Sequence, residues 1–226
     1  MLLRLRNAIV FMCLSVGFSG AATADGPLQI LTMGDSMMAS HSLSKRAIPN
    51  VIGKAVNARV VDRSVSGARI IYNLPITGSM GLNIAKQFRP GQWDWIVVNG
   101  GGNDLWLGCG CRKCDRKMNR MITKTGARGE IPNMVRKLRS TGAQVIYVGY
   151  LRSPGTGSPI EQCRDEGNEL ESRISKLAAS DKGVHFVSLA NLVPNGDRSY
   201  HALDMIHPSL KGSRAIGQRI GQVIKK

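Results

Sequence analysis

Short unbroken apolar runs alternate along the chain with stretches whose apolar residues recur every three or four positions, and these two periods separate strands from helices. The apolar runs at 28–33, 59–65, 93–99, 144–150 and 184–189 read as strands. The run at 93–99 is unbroken enough to be buried on both faces. Helical spacing marks 44–56, 81–88, 130–140, 160–179 and 209–224, with Pro49 placing the start of the first helix proper near itself. The Pro- and Gly-rich stretch 153–159 excludes helix and central strand and is a loop. Strand and helix alternate about five times, which predicts an α/β chain with a central, mostly parallel five-stranded sheet between two layers of helices. No internal repeat or low-complexity segment interrupts it.

The first 24 residues stand outside that pattern. Arg4 and Arg6 precede an apolar run from Ala8 to Phe18, and Ala22-Thr23-Ala24 stands ahead of Asp25. This is the layout of a secretory signal peptide, with an uncleaved anchor as the alternative. No later run is long enough to span a bilayer. The expectation is a secreted or periplasmic chain beginning near Asp25, with residues 25–226 forming one domain around one core. The whole chain of 226 residues carries a formal charge of +16, and the leader accounts for only two of those charges. The basic balance therefore belongs to the folded part, where it is either a solvated surface or a contact for anionic material such as envelope polymer or membrane.

Cysteine usage fits export. Cys13 leaves with the leader, and Cys109, Cys111, Cys114 and Cys163 remain, an even set in a chain bound for an oxidising space. Two disulfides are expected, with Cys163 pairing into the 109–114 cluster. A four-thiolate zinc site is the alternative, for which only Cys111 and Cys114 have the usual spacing. The basic segment around 108–125 reads as a stapled excursion from the domain.

Open parallel sheets bind ligands beyond the carboxyl ends of their strands, so the strand ends decide where chemistry sits. The first strand ends in Gly34-Asp35-Ser36, the second in Ser66-Gly67 and the third in Gly101-Gly102-Asn103-Asp104. Past the fifth comes Asp204-Met205-Ile206-His207. In this order the four blocks resemble those of the SGNH, or GDSL, hydrolase superfamily across essentially the whole mature chain. Met37 stands where that family usually has leucine.

The resemblance implies a flavodoxin-like three-layer fold and a serine hydrolase. Ser36 would be the nucleophile. His207 would be its base, since an imidazole titrates near neutral pH and a serine hydroxyl needs a partner to remove its proton. Asp204 lies three residues before His207 and would orient the ring and stabilise its cation. The oxyanion donors implied are the backbone N–H groups of Ser36 and Gly67 and the side-chain amide of Asn103. Asp35 would brace the loop without reacting.

Each residue has a plainer role available when taken alone. Ser36 suits a helix cap, Asn103 and Asp104 suit turns, and Asp204 suits an N-cap. Leu105, Trp106 and Leu107 serve equally as core or as a wall for the acyl group. His41, His185 and His201 are the other imidazoles, and His201 alone is near enough in sequence to line the site. No metal or cofactor is expected, because no ligand spacing of the His-Glu-x-x-His kind occurs. The expected substrate is an ester on a small molecule, lipid or polysaccharide. The alternatives are acyl transfer to an alcohol, and a non-catalytic module that binds anionic envelope polymer. Nucleic acid is not an expected partner, since no basic motif with interleaved aromatics appears.

Overall fold

Alternation of side chains on five strands builds two cores at once. The computed structural model describes residues 26–155 and 157–226. The signal-peptide expectation for 1–24, with Arg4, Arg6, Cys13 and Ala22-Thr23-Ala24, lies outside the described residues, as does Asp25.

The strands are β1 (Gln29–Met33), β2 (Arg59–Asp62), β3 (Trp95–Asn99), β4 (Gln144–Val148) and β5 (Val184–Val187). They pair in the order β2-β1-β3-β4-β5, all parallel, with Leu31 opposite Val61 on one side and Ile96 on the other. On one face, Leu31, Met33, Ile96, Val98, Val145 and Tyr147 pack under α4 (Gly102–Cys109), α5 (Asp115–Met121), α6 (Glu130–Arg139) and α7 (Arg164–Ala179). On the other, Ile30, Val97, Ile146 and Val187 pack under α2 (Ile48–Val56) and α8 (Leu210–Ile224). Ile96, Val97 and Val98 are all fully buried, as the unbroken run predicts. The result is the expected three-layer α/β/α fold with a five-stranded sheet.

Helix α2 begins with Ile48 and Pro49, where a missing N–H costs nothing, and ends at Asn57 in the left-handed region. Helix α8 is capped by the Ser209 side chain, which accepts from Gly212 N. These two helices approach closely because Gly217 of α8 faces Val51 of α2, where a Cβ would lie 2.6 Å from valine carbons.

Several elements differ from the sequence reading, among them α1 (Ser36–Ala39), and α5 within the cysteine-rich segment. The expected helix at 81–88 is not one: Gly81 has φ +108° and Asn83 is extended, leaving a π-type turn at Gly78–Leu82 and a short 3-10 turn at Ile84–Gln87. A single turn, α3 (Pro75–Thr77), precedes them. The helix expected over 160–179 opens as a 3-10 turn at Glu161–Cys163 before α7 proper. Helix α4 was not expected, since Gly101 caps it through its backbone and supplies no side-chain signal. The cysteines pair as Cys109 with Cys114 and Cys111 with Cys163, which consumes the four sulfurs a zinc site would need. Among the described residues no helix is long and apolar enough to cross a membrane.

Candidate active site

Two loops at the carboxyl edge of the sheet bring Ser36, His207 and Asp204 into one hydrogen-bonded line. Chain reversal after β1 is tight: Gly34 is buried, and a Cβ there would collide with Asn99 Oδ1. Gln87 holds the turn from both sides, accepting from Gly34 N at 2.7 Å and donating to Gly34 O at 2.8 Å. The helix α1 (Ser36–Ala39) that follows is capped by Asp35, whose carboxylate accepts from Met37 N at 2.9 Å. The capping role available to Ser36 is thus taken by its neighbour, and its hydroxyl is free. Ser36 Oγ lies 2.8 Å from His207 Nε2.

Asp204 holds the histidine through both oxygens. Oδ2 lies 2.6 Å from His207 Nδ1, while Oδ1 accepts from the backbone N–H of Ile206 at 2.9 Å and of His207 at 3.0 Å. The turn between them places Met205 in the left-handed region at φ +58°, with its carbonyl fixed by Ser158 Oγ at 2.7 Å. Burial opposes ionisation of Asp204, but the bonds from the His207 ring and the two backbone N–H groups outweigh it and hold its carboxyl below the ordinary range.

Gly67 has φ +81°, a conformation that favours glycine, and it is exposed beside the nucleophile loop. Neither its N–H nor that of Ser36 has an acceptor among the described residues. Asn103 sits in the first turn of α4 and donates through Nδ2 to Ala68 O at 3.0 Å, which brings the amide next to Gly67. Its neighbour Asp104 completes the clamp, accepting from Ile70 N and Ile71 N at 2.8 Å each. Asp104 is fully buried, and desolvation raises its pKa to about 6 against the pull of those two N–H groups and of Lys117 and Arg69.

A narrow apolar pocket of about 130 Å³ opens beside Ser36 and His207. Leu105, Trp106, Tyr150 and Leu170 line it, and Cys163 places the Cys111–Cys163 disulfide in its wall. Leu107 does not line it: one residue further round α4, it points to solvent. His41 Nε2 donates to Pro208 O (2.9 Å), His185 Nε2 lies 3.3 Å from Gln144 Oε1, and neither lies in the pocket. His201 is buried outside the pocket, and desolvation lowers its pKa despite Asp204 and Asp197 nearby.

Residues 32–215 match the GDSL-like lipase/acylhydrolase family. The chain belongs to that family. It is therefore a hydrolase acting on ester bonds. No curated protein matches it closely enough to be counted. Among solved structures it is similar to an aryl esterase of M. smegmatis in an inhibitor-bound form, at 15% identity and TM-score 0.63, covering 88% of this chain and 98% of that one. A carbohydrate acetylesterase family member from Sinorhizobium meliloti is similar at 16% identity and TM-score 0.62, covering 88% and 97%. A carbohydrate esterase family 2 enzyme with a carbohydrate-binding domain, from Corynascus thermopiles, gives 18% and 0.59, covering 89% and 67%. At these identities the likeness is one of fold.

In this acylhydrolase Asp35 braces the nucleophile loop as the sequence reading expects, while the partners that hold it, Asn99 and Tyr150, were missed. Asp35 is fully enclosed: Asn99 Nδ2 donates to it at 3.1 Å, and Tyr150 OH donates to its other oxygen. Burial raises its pKa, opposed by Tyr150, Met37 N–H and Asn99. Tyr150 also lies over Gly102, where a Cβ would come within 2.7 Å of ring carbons. A tyrosine ending an apolar strand at the edge where sites form was the one signal that pointed to it.

Proposed function

We propose that the protein is an exported serine esterase that removes short acyl groups through an acyl-serine intermediate. The observation that carries this reading is the unbroken line from Ser36 Oγ through His207 to Asp204, at 2.8 and 2.6 Å. As Oγ attacks the ester carbonyl, its proton passes to His207 Nε2, and the imidazolium that forms is held by Asp204. Negative charge builds on the carbonyl oxygen, where the N–H groups of Ser36 and Gly67 and the Asn103 amide are the donors. Collapse returns the proton to the leaving alkoxide and releases the alcohol, leaving the acyl group on Ser36. Water then attacks with the same base, the carboxylic acid departs, and Ser36 regains its proton.

Pocket size supports a short acyl group. A cavity of about 150 Å³ holds a benzene ring, so about 130 Å³ beside the nucleophile suits a chain of roughly six carbons or fewer. Leu105 and Trp106 supply the apolar wall. One of the similar structures is named as a carbohydrate acetylesterase family member, and an acetyl group is within the size that this pocket takes. Export rests on the leader and on cysteines that pair in two disulfides.

Incubation with chromogenic acetate, butyrate and palmitate esters tests the reading, together with labelling by a fluorophosphonate. Acetate and butyrate are expected to turn over and palmitate to fail, with label on Ser36. Ser36→Ala should lose label and at least about 10³-fold of turnover. Unchanged turnover in Ser36→Ala would overturn the assignment.

A further inference from the structure

We propose that the sheet edge carrying Ser36 and His207 docks on the surface of an anionic phospholipid bilayer. Among the described residues, the exposed large apolar side chains are Leu43, Leu74, Ile76, Met80, Leu107 and Leu203. Exposed apolar residues are ordinary when scattered singly over a surface. These six are not scattered: hydrogen bonds tie the segments of Leu43, Met80 and Leu203 to the rim of the site, Leu74 and Ile76 sit on the turn that runs into Met80, and Leu107 shares α4 with Asn103.

Leu43 and Leu203 are fully exposed and flank the His207 turn. The turn that carries Leu43 is joined to that histidine's neighbour through His41 Nε2 and Pro208 O at 2.9 Å. Leu203 immediately precedes Asp204, and Ala202 N before it donates to His207 O at 2.8 Å. Met80 precedes Gly81, whose carbonyl accepts from Gln87 Nε2 at 2.8 Å, and the same amide nitrogen reaches Gly34 O. Leu74 and Ile76 lie one turn earlier, in and beside α3. Leu107 is one helical turn beyond Asn103 on α4.

Charge is the second observation. Lys45 and Arg46 follow Leu43, Arg63 follows β2, and Arg112 and Lys113 lie within the cysteine turn beyond Leu107, all exposed on a chain of net charge +16. Apolar tips set among cations match a headgroup layer, where long cationic side chains stay with phosphate while leucine and isoleucine enter the acyl boundary. A zwitterionic bilayer offers the apolar layer without the attracting field, so the anionic one is the fit. Docking itself does not depend on catalysis. What the docked site then cleaves rests on the short-acyl esterase reading: an ester presented at headgroup level, which the narrow pocket can take without extracting a lipid chain.

Sedimentation with large vesicles tests this, using phosphatidylglycerol mixed with phosphatidylcholine against phosphatidylcholine alone. Wild type and Ser36→Ala are expected to pellet alike with the anionic vesicles and little with the zwitterionic ones. The triple variant Leu43→Ser, Ile76→Ser, Leu203→Ser should bind at least about tenfold more weakly, with soluble acetate turnover unchanged. An environment-sensitive dye on Leu43→Cys should shift to the blue on addition of anionic vesicles, a readout independent of how well the triple variant folds. The proposal is overturned if wild type ignores anionic vesicles, if the triple variant binds as wild type does, or if the dye does not shift. It is also overturned if the triple variant instead dissolves a dimer of this chain, which would make a second copy the occupant. Vesicle binding without ester turnover would sink the catalytic reading and leave this one standing.

Discussion

Asp104 carries a carboxyl that no step of the reaction uses, sealed from water and held by two backbone N–H groups. Its value is positional, because the segment it clamps runs on from Gly67 and Ala68. Desolvation raises its pKa from 3.8 to about 6 in the folded chain. A carboxyl that binds its proton more tightly when folded adds stability as pH falls through that interval, and adds none above it. The gain reaches about 3 kcal/mol once pH is below the unfolded value. Asp104→Asn cannot titrate. Thermal melts at about pH 7.5 and about pH 4.5 should therefore show the wild type gaining on the variant at the lower pH. A gap between the two that stays constant or narrows would show that Asp104 is not sealed in this way.

At the scale of elements, close approach of α2 and α8 depends on glycines where most helices carry side chains. A Cβ at Gly217 would lie 2.6 Å from Val51, and one at Gly221 would lie 3.0 Å from Ala55. Alanine gains about 1 kcal/mol of helix propensity at either site, while forcing packed helices apart costs about 1 to 3 kcal/mol. Gly217→Ala should therefore lower the urea midpoint, and Gly221→Ala should be close to neutral. The reverse ranking would mean that the helices slide freely. All five strands were legible in the sequence: the central β1, β3 and β4 as buried apolar runs, and the partly buried edge strands β2 and β5 as short stretches rich in β-branched and aromatic residues. The stretch between β2 and β3 was not, since single turns interrupted by Gly81 and Asn83 carry no period long enough to read. Ser36, Gly67 and Asn103 were legible as blocks that follow strand ends, and Asp204 with His207 as a block beyond the last strand. Gln87, Asn99 and Tyr150 were not, because their partners lie 53, 64 and 115 residues away and only folding makes them neighbours.

For the molecule as a whole, one of the two disulfides ties the end of α4 to the pocket wall at Cys163. Cys109–Cys114 closes a short loop at the end of α4, while Cys111–Cys163 spans 52 residues and fastens that loop to the start of α7. Loop-closure entropy assigns the longer bridge about 4 kcal/mol. Because Cys163 itself lines the pocket, losing the bridge should loosen the wall as well as the fold. Cys111→Ser with Cys163→Ser is expected to lower the melting temperature and to weaken discrimination between butyrate and longer esters. Chain-length selectivity identical to the wild type would confine the bridge to a stabilising role.

The nucleophile and its base stand 171 residues apart, one near the start of the folded chain and the other in its last tenth. Contacts of that span form late, because the chain between them must be ordered first. Helix α8, which follows His207, is also the packing partner of α2, just after the nucleophile helix. Turnover can therefore begin only when the final segment has closed over the sheet. A continuous ester assay during refolding would act as a clock for that last event, blind to every intermediate in which the rest of the sheet is already built.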